Sequence, residues 1–200
     1  MCAKNTDTKQ IILDAAIVMF SERGYDGVTT RDIARAADLK PSSLYSHFSS
    51  KEEILSDIYA IYEEKLRGVL PDLDALLIAA ESDPPIQVLM KAGYYFDPGD
   101  QEKMDRIMSV ASAESQTNAI SGAFIEKNVF GVIRLYLGKL LDRMVELDRI
   151  KPLDTGAFVT LMENYSYSAA IRNFGGSPIS KDEWTGGMAL LFSLVAPNSP

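Results

Sequence analysis

The sequence predicts an all-α protein, and three observations carry the prediction. Apolar residues recur three and four positions apart along most of the 200-residue chain, as on the buried side of amphipathic helices. No stretch of the sequence alternates with the period of two that is typical of a half-buried strand. Hydrophobic residues make up 46% of the chain and charged residues 24%, which is typical of a globular protein and excludes a disordered or collagen-like chain.

A long first helix is predicted over residues 7–23. The apolar side chains within residues 11–20 form a single stripe at helical spacing. Asp7 and Gln10 can cap the start of this helix, and Gly24 is a typical residue for its end.

Two short helices are predicted next. Thr29 and Asp32 have the spacing of a capping box, in which each side chain accepts a hydrogen bond from the other residue's backbone amide. The second helix therefore begins there and ends at a break over residues 38–40. Pro41 suits the first turn of a helix because the amide it lacks is not needed there, and it predicts a very short third helix ending at Phe48.

The rest of the chain also has helical spacing. Ser50 and Glu53 have the spacing of another capping box and predict a long fourth helix that ends near Pro71. Six further helices are predicted: 73–81, 86–96 with Asp97-Pro98-Gly99 as its end, 100–117, 124–147, 154–174, and a last one that Ser180 and Glu183 cap and that ends before Pro197.

The charge of the chain is unevenly distributed. The net charge is -8 and the pI is about 4.7, which taken alone argues against binding to nucleic acid. Residues 1–50, however, contain six basic and six acidic residues, so the whole negative charge lies in residues 51–200. Two segments with different functions are therefore expected.

Several classes of protein are excluded by what the sequence lacks. The one cysteine, Cys2, cannot form an internal disulfide or a thiolate zinc cluster, and the one histidine, His47, excludes a site with two imidazoles. No apolar run approaches the ~20 residues of a membrane span, and the polar first ten residues predict a cytoplasmic protein without a signal peptide. No metal, no cofactor and no membrane partner are expected. The sequence has no nucleophile elbow and no phosphate-binding glycine loop, so we expect no enzyme.

The three N-terminal helices predict a helix-turn-helix, because a tight turn joins the last two of them. In that motif the second helix of the pair lies in the major groove of DNA. Leu39, Leu44 and Phe48 are expected to pack this recognition helix onto its neighbours. The opposite face has hydroxyl groups that can reach base edges, from Ser42, Ser43 and Ser46, and donors for phosphates, from Tyr45, His47 and Lys51.

The same residues resemble the TetR family of bacterial transcription regulators. The resemblance covers about the first 60 residues. It rests on Phe20-x-x-x-Gly24-Tyr25, on Thr29-Thr30-x-x-Ile33-Ala34, and on Leu44-Tyr45-x-His47-Phe48-x-x-Lys51, in this order and at the family's distances.

The resemblance implies a homodimer that binds a palindromic double-stranded operator and releases it when a small molecule enters the C-terminal domain. The implied domains are residues 1–50 for DNA binding, linked through helix 51–70, and residues 51–200 for effector binding and dimerisation. DNA-contacting roles fall on Thr30, Arg31, Ser42, Ser43, Tyr45, Ser46, His47 and Lys51. Two positions depart from the family pattern: Asp38 stands where a glycine is frequent, and Pro41 stands where a polar or basic residue is frequent, so Lys40 is expected to supply the charge.

The C-terminal segment has enough aromatic and methionine side chains to line an apolar cavity, although each one alone is more typical of a core. The candidate ligand-binding residues are Tyr62, Leu66, Tyr95, Met104, Met108, Phe124 and Tyr165. Coupling to DNA is expected through the fourth helix, which runs from Lys51 to Tyr62 and Leu66. The dimer is expected from helices 124–147 and 154–174, because the first is apolar on more than one side and the second has small residues.

Two functions remain after this reasoning. The first is a ligand-responsive regulator, in which a small molecule releases a repressor from its operator. The second is a helical DNA-binding regulator that a protein partner controls without a small-molecule ligand. A cavity inside the C-terminal domain would favour the first, and a fully packed core would favour the second.

Overall fold

The all-α prediction is confirmed by a computed structural model, which describes residues 3–93, 96–174, 177 and 179–195; none of these is in a strand. In these ranges, ten α-helices lie before or after a region in which α-helices alternate with π-helical turns. Their ranges are α1 Ala3–Arg23, α2 Thr30–Ala36, α3 Pro41–Tyr45, α4 Lys51–Val69, α5 Leu73–Ala79, α6 Pro85–Lys91, α7 Pro98–Glu114, α8 Ala119–Ile125, α11 Thr155–Phe174 and α12 Lys181–Ser193. Between α8 and α11 lie α9 Gly131–Ile133 and α10 Lys139–Glu146, with π-helical turns at Glu126–Phe130 and Arg134–Gly138.

Local capping explains where several helices begin. The capping boxes Thr29–Asp32 and Ser180–Glu183 are both present with reciprocal hydrogen bonds, as predicted. The box predicted at Ser50–Glu53 is only half formed. The Glu53 amide donates to the Ser50 hydroxyl, but the Glu53 carboxylate accepts from the amide and hydroxyl of Ser49, one residue earlier than expected.

Several other predicted boundaries were wrong. Helix α3 ends at Tyr45 instead of Phe48. Helix α1 begins at Ala3, before Asp7, and Gln10 does not cap it because its side chain donates to Asp14 one turn later. Helix α6 ends at Lys91, and Asp97-Pro98-Gly99 opens the next helix instead of ending this one. Pro98 occupies the first turn of α7, where a missing amide costs nothing.

The predicted helix 124–147 is a longer helical stretch that begins at Ala119 and contains the two π-helical turns. A π turn adds one residue to a turn of helix, so each such turn rotates the side chains that follow. The spacing of apolar residues in the sequence does not predict this rotation of the side chains.

The chain divides into two compact units, which we call the N-terminal unit (residues 1–68 and 96–125) and the C-terminal unit (residues 69–95 and 126–200). The boundary expected at residue 50 is not a boundary in packing. Helices α4 and α7 share the core of the N-terminal unit with the first three helices, through the fully buried side chains of Phe20, Ile33, Leu44, Ile54, Leu55, Ile58, Met104 and Ile107. The assignment of residues 1–50 and 51–200 to different functions stays a prediction.

The C-terminal unit has its own apolar core. Its largest fully buried side chains come from α10, at Leu140, Leu141 and Met144. Side chains from α5, α6, α11 and α12 complete this core: Leu76, Val88, Leu89, Phe158, Val159, Met162 and Phe192. Within the described ranges, every helix is too short or too polar to cross a membrane.

Tyr165 fixes the contact of α11 with α12 in this unit. Its ring stacks on Trp184 with 5.2 Å between centroids, and its hydroxyl donates to the carbonyls of Glu183 and Trp184, at 3.0 and 3.4 Å. The tyrosine can approach this closely because the next turn of α12 has Gly187, where any Cβ atom would overlap the Tyr165 hydroxyl and ring.

Gly187→Ala is therefore expected to destabilise the protein, although alanine favours helices. Displacing a packed ring costs about 1–3 kcal/mol, more than the ~1 kcal/mol that the glycine-to-alanine change gains in a helix. Denaturant unfolding would measure the difference. Gly138→Ala is the matched control, because nothing lies within 4 Å of the added Cβ atom there, and it should leave stability unchanged or raise it. Equal effects of the two substitutions would contradict the role given to Tyr165.

Candidate nucleic-acid interface

The turn between α2 and α3 has the backbone conformation that a helix-turn-helix requires. Asp38, which stands where a glycine is frequent in the resembled pattern, adopts a left-handed conformation with φ of 55°. The amide of Leu39 donates to the carbonyl of Ala34 at 2.8 Å, which closes the end of α2 and directs the chain into α3. Lys40 is extended and Pro41 occupies the first turn of α3.

The packing predicted for α3 is confirmed in its main contacts. Leu44 and Phe48 are buried together with Ile33 and Ala34, so one face of α3 belongs to the core. Leu39 is only half-buried. The opposite face is therefore left for contacts outside the chain.

This outer surface of α2 and α3 contains the predicted DNA-contacting residues before α4. Arg31, Lys40, Ser42, Tyr45 and Ser46 are exposed. Thr30, Ser43 and His47 are half-buried. The surface is thus rich in hydroxyl groups and has two cations at its edges.

A hydrogen bond between hydroxyl groups joins the two helices across this surface. The Thr30 Oγ1 and Tyr45 Oη atoms lie 2.8 Å apart, at the start of α2 and the end of α3. The Ser46 hydroxyl donates to the carbonyl of Ser43 at 2.7 Å, so it offers its lone pairs outward as an acceptor. Thr30 and Tyr45 form one fixed pair that could hold a single phosphate oxygen.

Most cations near this surface already have partners. Arg35 pairs with Asp32 at 2.7 Å, and Arg23 donates to the carbonyl of Gly27 at 2.9 Å. Among the side chains that the structure describes, Arg31 and Lys40 have no hydrogen bond or ion pair. These two are the cations available to phosphates.

The capping box at the start of α2 includes a carboxylate held in its charged form. The Thr29 hydroxyl and amide both donate to Asp32, at 2.6 and 3.1 Å, and these hydrogen bonds keep the pKa of Asp32 below its usual value. A carboxyl with a lowered pKa stabilises the fold above its unfolded pKa, and the contribution disappears as the pH falls through the folded pKa. The cap is therefore intact at neutral pH.

Lys51 lies differently from the sequence prediction, which had it facing a phosphate. Its Nζ atom donates to the carbonyls of Tyr25 and Val28, at 3.0 and 3.1 Å, and lies 3.9 Å from the centroid of the Tyr25 ring. Burial raises the pKa of Tyr25, and the nearby Glu52 carboxylate raises it further. Lys51 thus holds the α1–α2 loop (residues 24–29) from the first residue of α4.

The predicted ligand-binding residues are divided between the units. Tyr62, Leu66, Met104, Met108 and Phe124 are buried in the N-terminal unit, where Phe124 stacks on Tyr59 at 4.2 Å and meets Tyr62 edge-on at 5.3 Å. Tyr165 lies in the C-terminal unit against α12, and Tyr95 is outside the described residues.

One polar pair is enclosed in the aromatic cluster of the N-terminal unit. The hydroxyls of Tyr59 and Ser121 lie 2.7 Å apart and both residues are buried. Burial raises the pKa of Tyr59 to about 12. The hydroxyl is therefore neutral at any physiological pH, and the cluster offers apolar surface with one neutral hydrogen-bonding group.

A groove of about 240 Å³ lies between α1 and α7, lined by Asp14, Ile17, Val18, Gly99, Glu102, Lys103 and Arg106. Lys103 of α7 pairs with Asp14 of α1 across the groove at 2.6 Å, and Arg106 pairs with Glu102 on its own helix at 3.2 Å. None of these residues was predicted to bind a ligand. Their main role is to fasten α7 to α1.

One family model matches the part of the chain that contains this interface. Residues 12–58 match the family described as bacterial regulatory proteins, tetR family. A biofilm operon icaADBC HTH-type negative transcriptional regulator, IcaR of Staphylococcus aureus, is 54% identical over 70 residues, which cover 35% of this chain and 34% of the relative. IcaR of Staphylococcus epidermidis is 52% identical over 46 residues, 23% of this chain and 25% of the relative. The chain thus matches about a third or less of the length of these relatives.

The fold as a whole is shared with solved structures of low sequence identity. The ketosteroid transcriptional regulator KstR2 of Mycobacterium tuberculosis has a TM-score of 0.64 and 18% identity over 99% of this chain and 97% of that one. GusR of Salmonella enterica has a TM-score of 0.60 and 20% identity over 94% and 95% of the two chains. A gamma-butyrolactone receptor, described as an ArpA-like protein, has a TM-score of 0.60 and 17% identity over 98% and 91%.

Proposed function

We propose that this chain, which belongs to the TetR family of bacterial regulatory proteins through residues 12–58, binds a double-stranded operator as a homodimer and represses transcription. One observation carries the proposal: the Thr30–Tyr45 hydroxyl pair and the unpartnered cations Arg31 and Lys40 lie on the described outer surface of α2 and α3. Repression is supported by the 54% identity over 70 residues to IcaR, a negative regulator.

The side chains of this surface have separate roles in the proposal. Thr30, Arg31, Lys40 and Tyr45 contact phosphates, which position the protein without reading sequence. The serine hydroxyls of α3 face the bases, where they can contact several base edges. His47 is half-buried beside them and completes the set of phosphate donors.

Release by a small molecule is the second part of the proposal. Two proteins of the same fold are a ketosteroid regulator and a gamma-butyrolactone receptor by their names, which supports an apolar effector of small size. The buried aromatic cluster of Tyr59, Tyr62 and Phe124 has the matching apolar chemistry, and an effector would have to open it to enter. Helix α4 links the two sites, since Lys51 holds the α1–α2 loop and Tyr62 and Leu66 lie about 17–23 Å further along the same rod.

The dimer surface in this proposal keeps α11, which is the helix predicted over 154–174, and replaces the helix predicted over 124–147 by α12. Leu140, Leu141 and Met144 of the replaced helix are buried inside the C-terminal unit. The exposed large apolar side chains of α11 and the segment after it are Leu161, Ile171, Leu190 and Leu194. No charged residue follows Glu183 up to residue 195, so this side of α12 suits burial against a second copy.

Selection of duplexes from a random library tests the function directly. Random segments about three helical turns long, ~30 base pairs, leave room for two half-sites. We expect the wild-type chain to enrich a palindrome with half-sites one helical turn, ~34 Å, or a multiple of it apart. Enrichment of no sequence, or of a single unpaired site, would contradict the proposal.

Tyr45→Phe tests the phosphate contacts with the enriched duplex and a scrambled one. The change removes one hydroxyl and its bond to Thr30, so affinity for both duplexes should fall by about three- to tenfold, the worth of one hydrogen bond. Tyr136→Phe is the matched control. It also removes one hydroxyl, but this hydroxyl donates to the carbonyl of Pro71, and both residues belong to the C-terminal unit. A Tyr45→Phe chain that changes its preferred sequence would show instead that Tyr45 reads a base.

A further inference from the structure

The α1–α2 loop is held by a second side chain besides Lys51. The Glu114 Oε1 atom accepts a hydrogen bond from the backbone amide of Tyr25 at 3.1 Å, across 89 positions of sequence. Tyr25 is buried, so its amide depends on a protein acceptor. A charged acceptor makes this a stronger bond than one between neutral groups.

Glu114 is itself well fixed. It is the last residue of α7, and the Thr117 hydroxyl lies 3.4 Å from its second carboxylate oxygen. Helix α7 is fastened to α1 by Lys103, which pairs with Asp14 at 2.6 Å, and by Arg106, which donates to Ser21 at 3.0 Å. The carboxylate therefore reaches the loop from a helix that does not move freely against α1.

The loop in turn places the residues that contact DNA in the proposed function. Gly24 begins it with a left-handed φ of 72°, and Thr29 ends it as the cap of α2. Thr30 and Arg31 follow at once. A loop that is ordered before binding spares the complex the entropy cost of ordering it.

We propose that Glu114 is a positioning residue of the DNA interface, tying the α1–α2 loop to α7; the proposal rests on the function proposed above. Met104 and Met108 lie on the buried side of the same helix, about 15 and 9 Å from Glu114 by helical rise. Helix α7 thus connects the predicted effector-facing side chains to the DNA-binding helices by a route separate from α4.

For the affinity of Glu114→Ala for DNA, the positioning role and the change in net charge predict effects of opposite sign. Glu114→Ala removes a negative charge, which alone should strengthen binding to DNA. The positioning role instead predicts affinity lowered by about three- to tenfold, equally for the enriched and the scrambled duplex, because phosphate contacts are affected. Glu114→Gln keeps an acceptor oxygen without the charge and should bind at least as tightly as wild type.

Amide hydrogen exchange of full-length chains gives a second readout that does not need DNA. Exchange at Tyr25 should be faster in Glu114→Ala and close to wild type in Glu114→Gln, because only the first leaves the amide without an acceptor. Glu102→Ala is the control on the same helix, where the carboxylate is exposed and pairs with Arg106, and it should leave exchange at Tyr25 unchanged.

The outcomes separate this proposal from the one on which it rests. Unchanged exchange at Tyr25 in Glu114→Ala, or binding as tight as that of Glu102→Ala, would overturn the role of Glu114. A wild-type chain that enriches no duplex would overturn the regulator proposal, and with it the DNA role of Glu114, even if exchange showed that the tie exists.

Discussion

A chain with Leu190→Glu and Leu194→Glu is expected to be monomeric and to lose affinity for its operator by at least about a hundredfold. A dimer binds its second half-site as an intramolecular event, and losing that advantage costs roughly 10²–10⁴ in affinity. The two leucines are 68% and 56% exposed in the single chain, so the substitutions remove little from the core. Two carboxylates buried against a second copy, by contrast, would each lose hydration without a partner.

Sedimentation at micromolar concentration and titration of the enriched duplex would measure both effects. Ile78→Glu with Met90→Glu is the matched control, since these side chains of α5 and α6 are 69% and 70% exposed in the same unit. The control should stay dimeric and bind normally. A Leu190→Glu, Leu194→Glu chain that sediments as a dimer would place the interface elsewhere.

Lys51→Met is expected to lower the free energy of unfolding by about 2–3 kcal/mol, with a fall in affinity for all duplexes. The change leaves two carbonyls without their donor and removes a cation from the face of a tyrosine ring, and losses of these kinds cost about 1–3 and 0.5–2 kcal/mol. The α1–α2 loop then keeps the hydrogen bond from its Tyr25 amide to Glu114 and the one that its Gly27 carbonyl accepts from Arg23. Affinity falls because Thr30 and Arg31 are no longer held in place.

The dependence on salt separates positioning from direct contact with DNA. A lysine that neutralises a phosphate contributes about 0.9 to the slope of log affinity against log salt. We expect the slope to be unchanged in Lys51→Met, because its ammonium donates within the protein. Lys40→Met is the matched control: Lys40 is exposed, so stability should be unaffected and the slope should become smaller. A flatter slope in Lys51→Met would contradict the positioning role and support the phosphate contact that the sequence predicted for Lys51.

The parts of the fold that were predictable depend on neighbours in sequence. The caps at Thr29 and Ser180 join residues three positions apart, and the left-handed turn at Asp38 is a property of one residue in its local setting. The spacing of Leu44 and Phe48 likewise assigns a buried face to α3 from the helical period alone.

The parts that were not predictable depend on partners distant in sequence. The sequence around Lys51 does not indicate that its ammonium donates to carbonyls 23 and 26 residues earlier. The sequence around Glu114 likewise does not indicate that its carboxylate accepts from an amide 89 residues away. Tyr165 was a candidate ligand-binding residue because the aromatic and methionine side chains as a group can line a cavity, although each one alone is more typical of a core. Its role is decided by the absence of a side chain at Gly187 on another helix.

The scarcity of unpartnered cations on α2 and α3 bears on how such a regulator would share a cell with the rest of the chromosome. With Arg31 and Lys40 from each subunit, a dimer offers about four cations, so its affinity for random DNA falls as roughly the 3.6th power of the salt concentration. A protein that neutralises ten phosphates would have a slope of about 9, more than twice as steep. A change in the salt concentration of the cell would therefore redistribute these dimers between random DNA and solution less than it redistributes a more basic regulator.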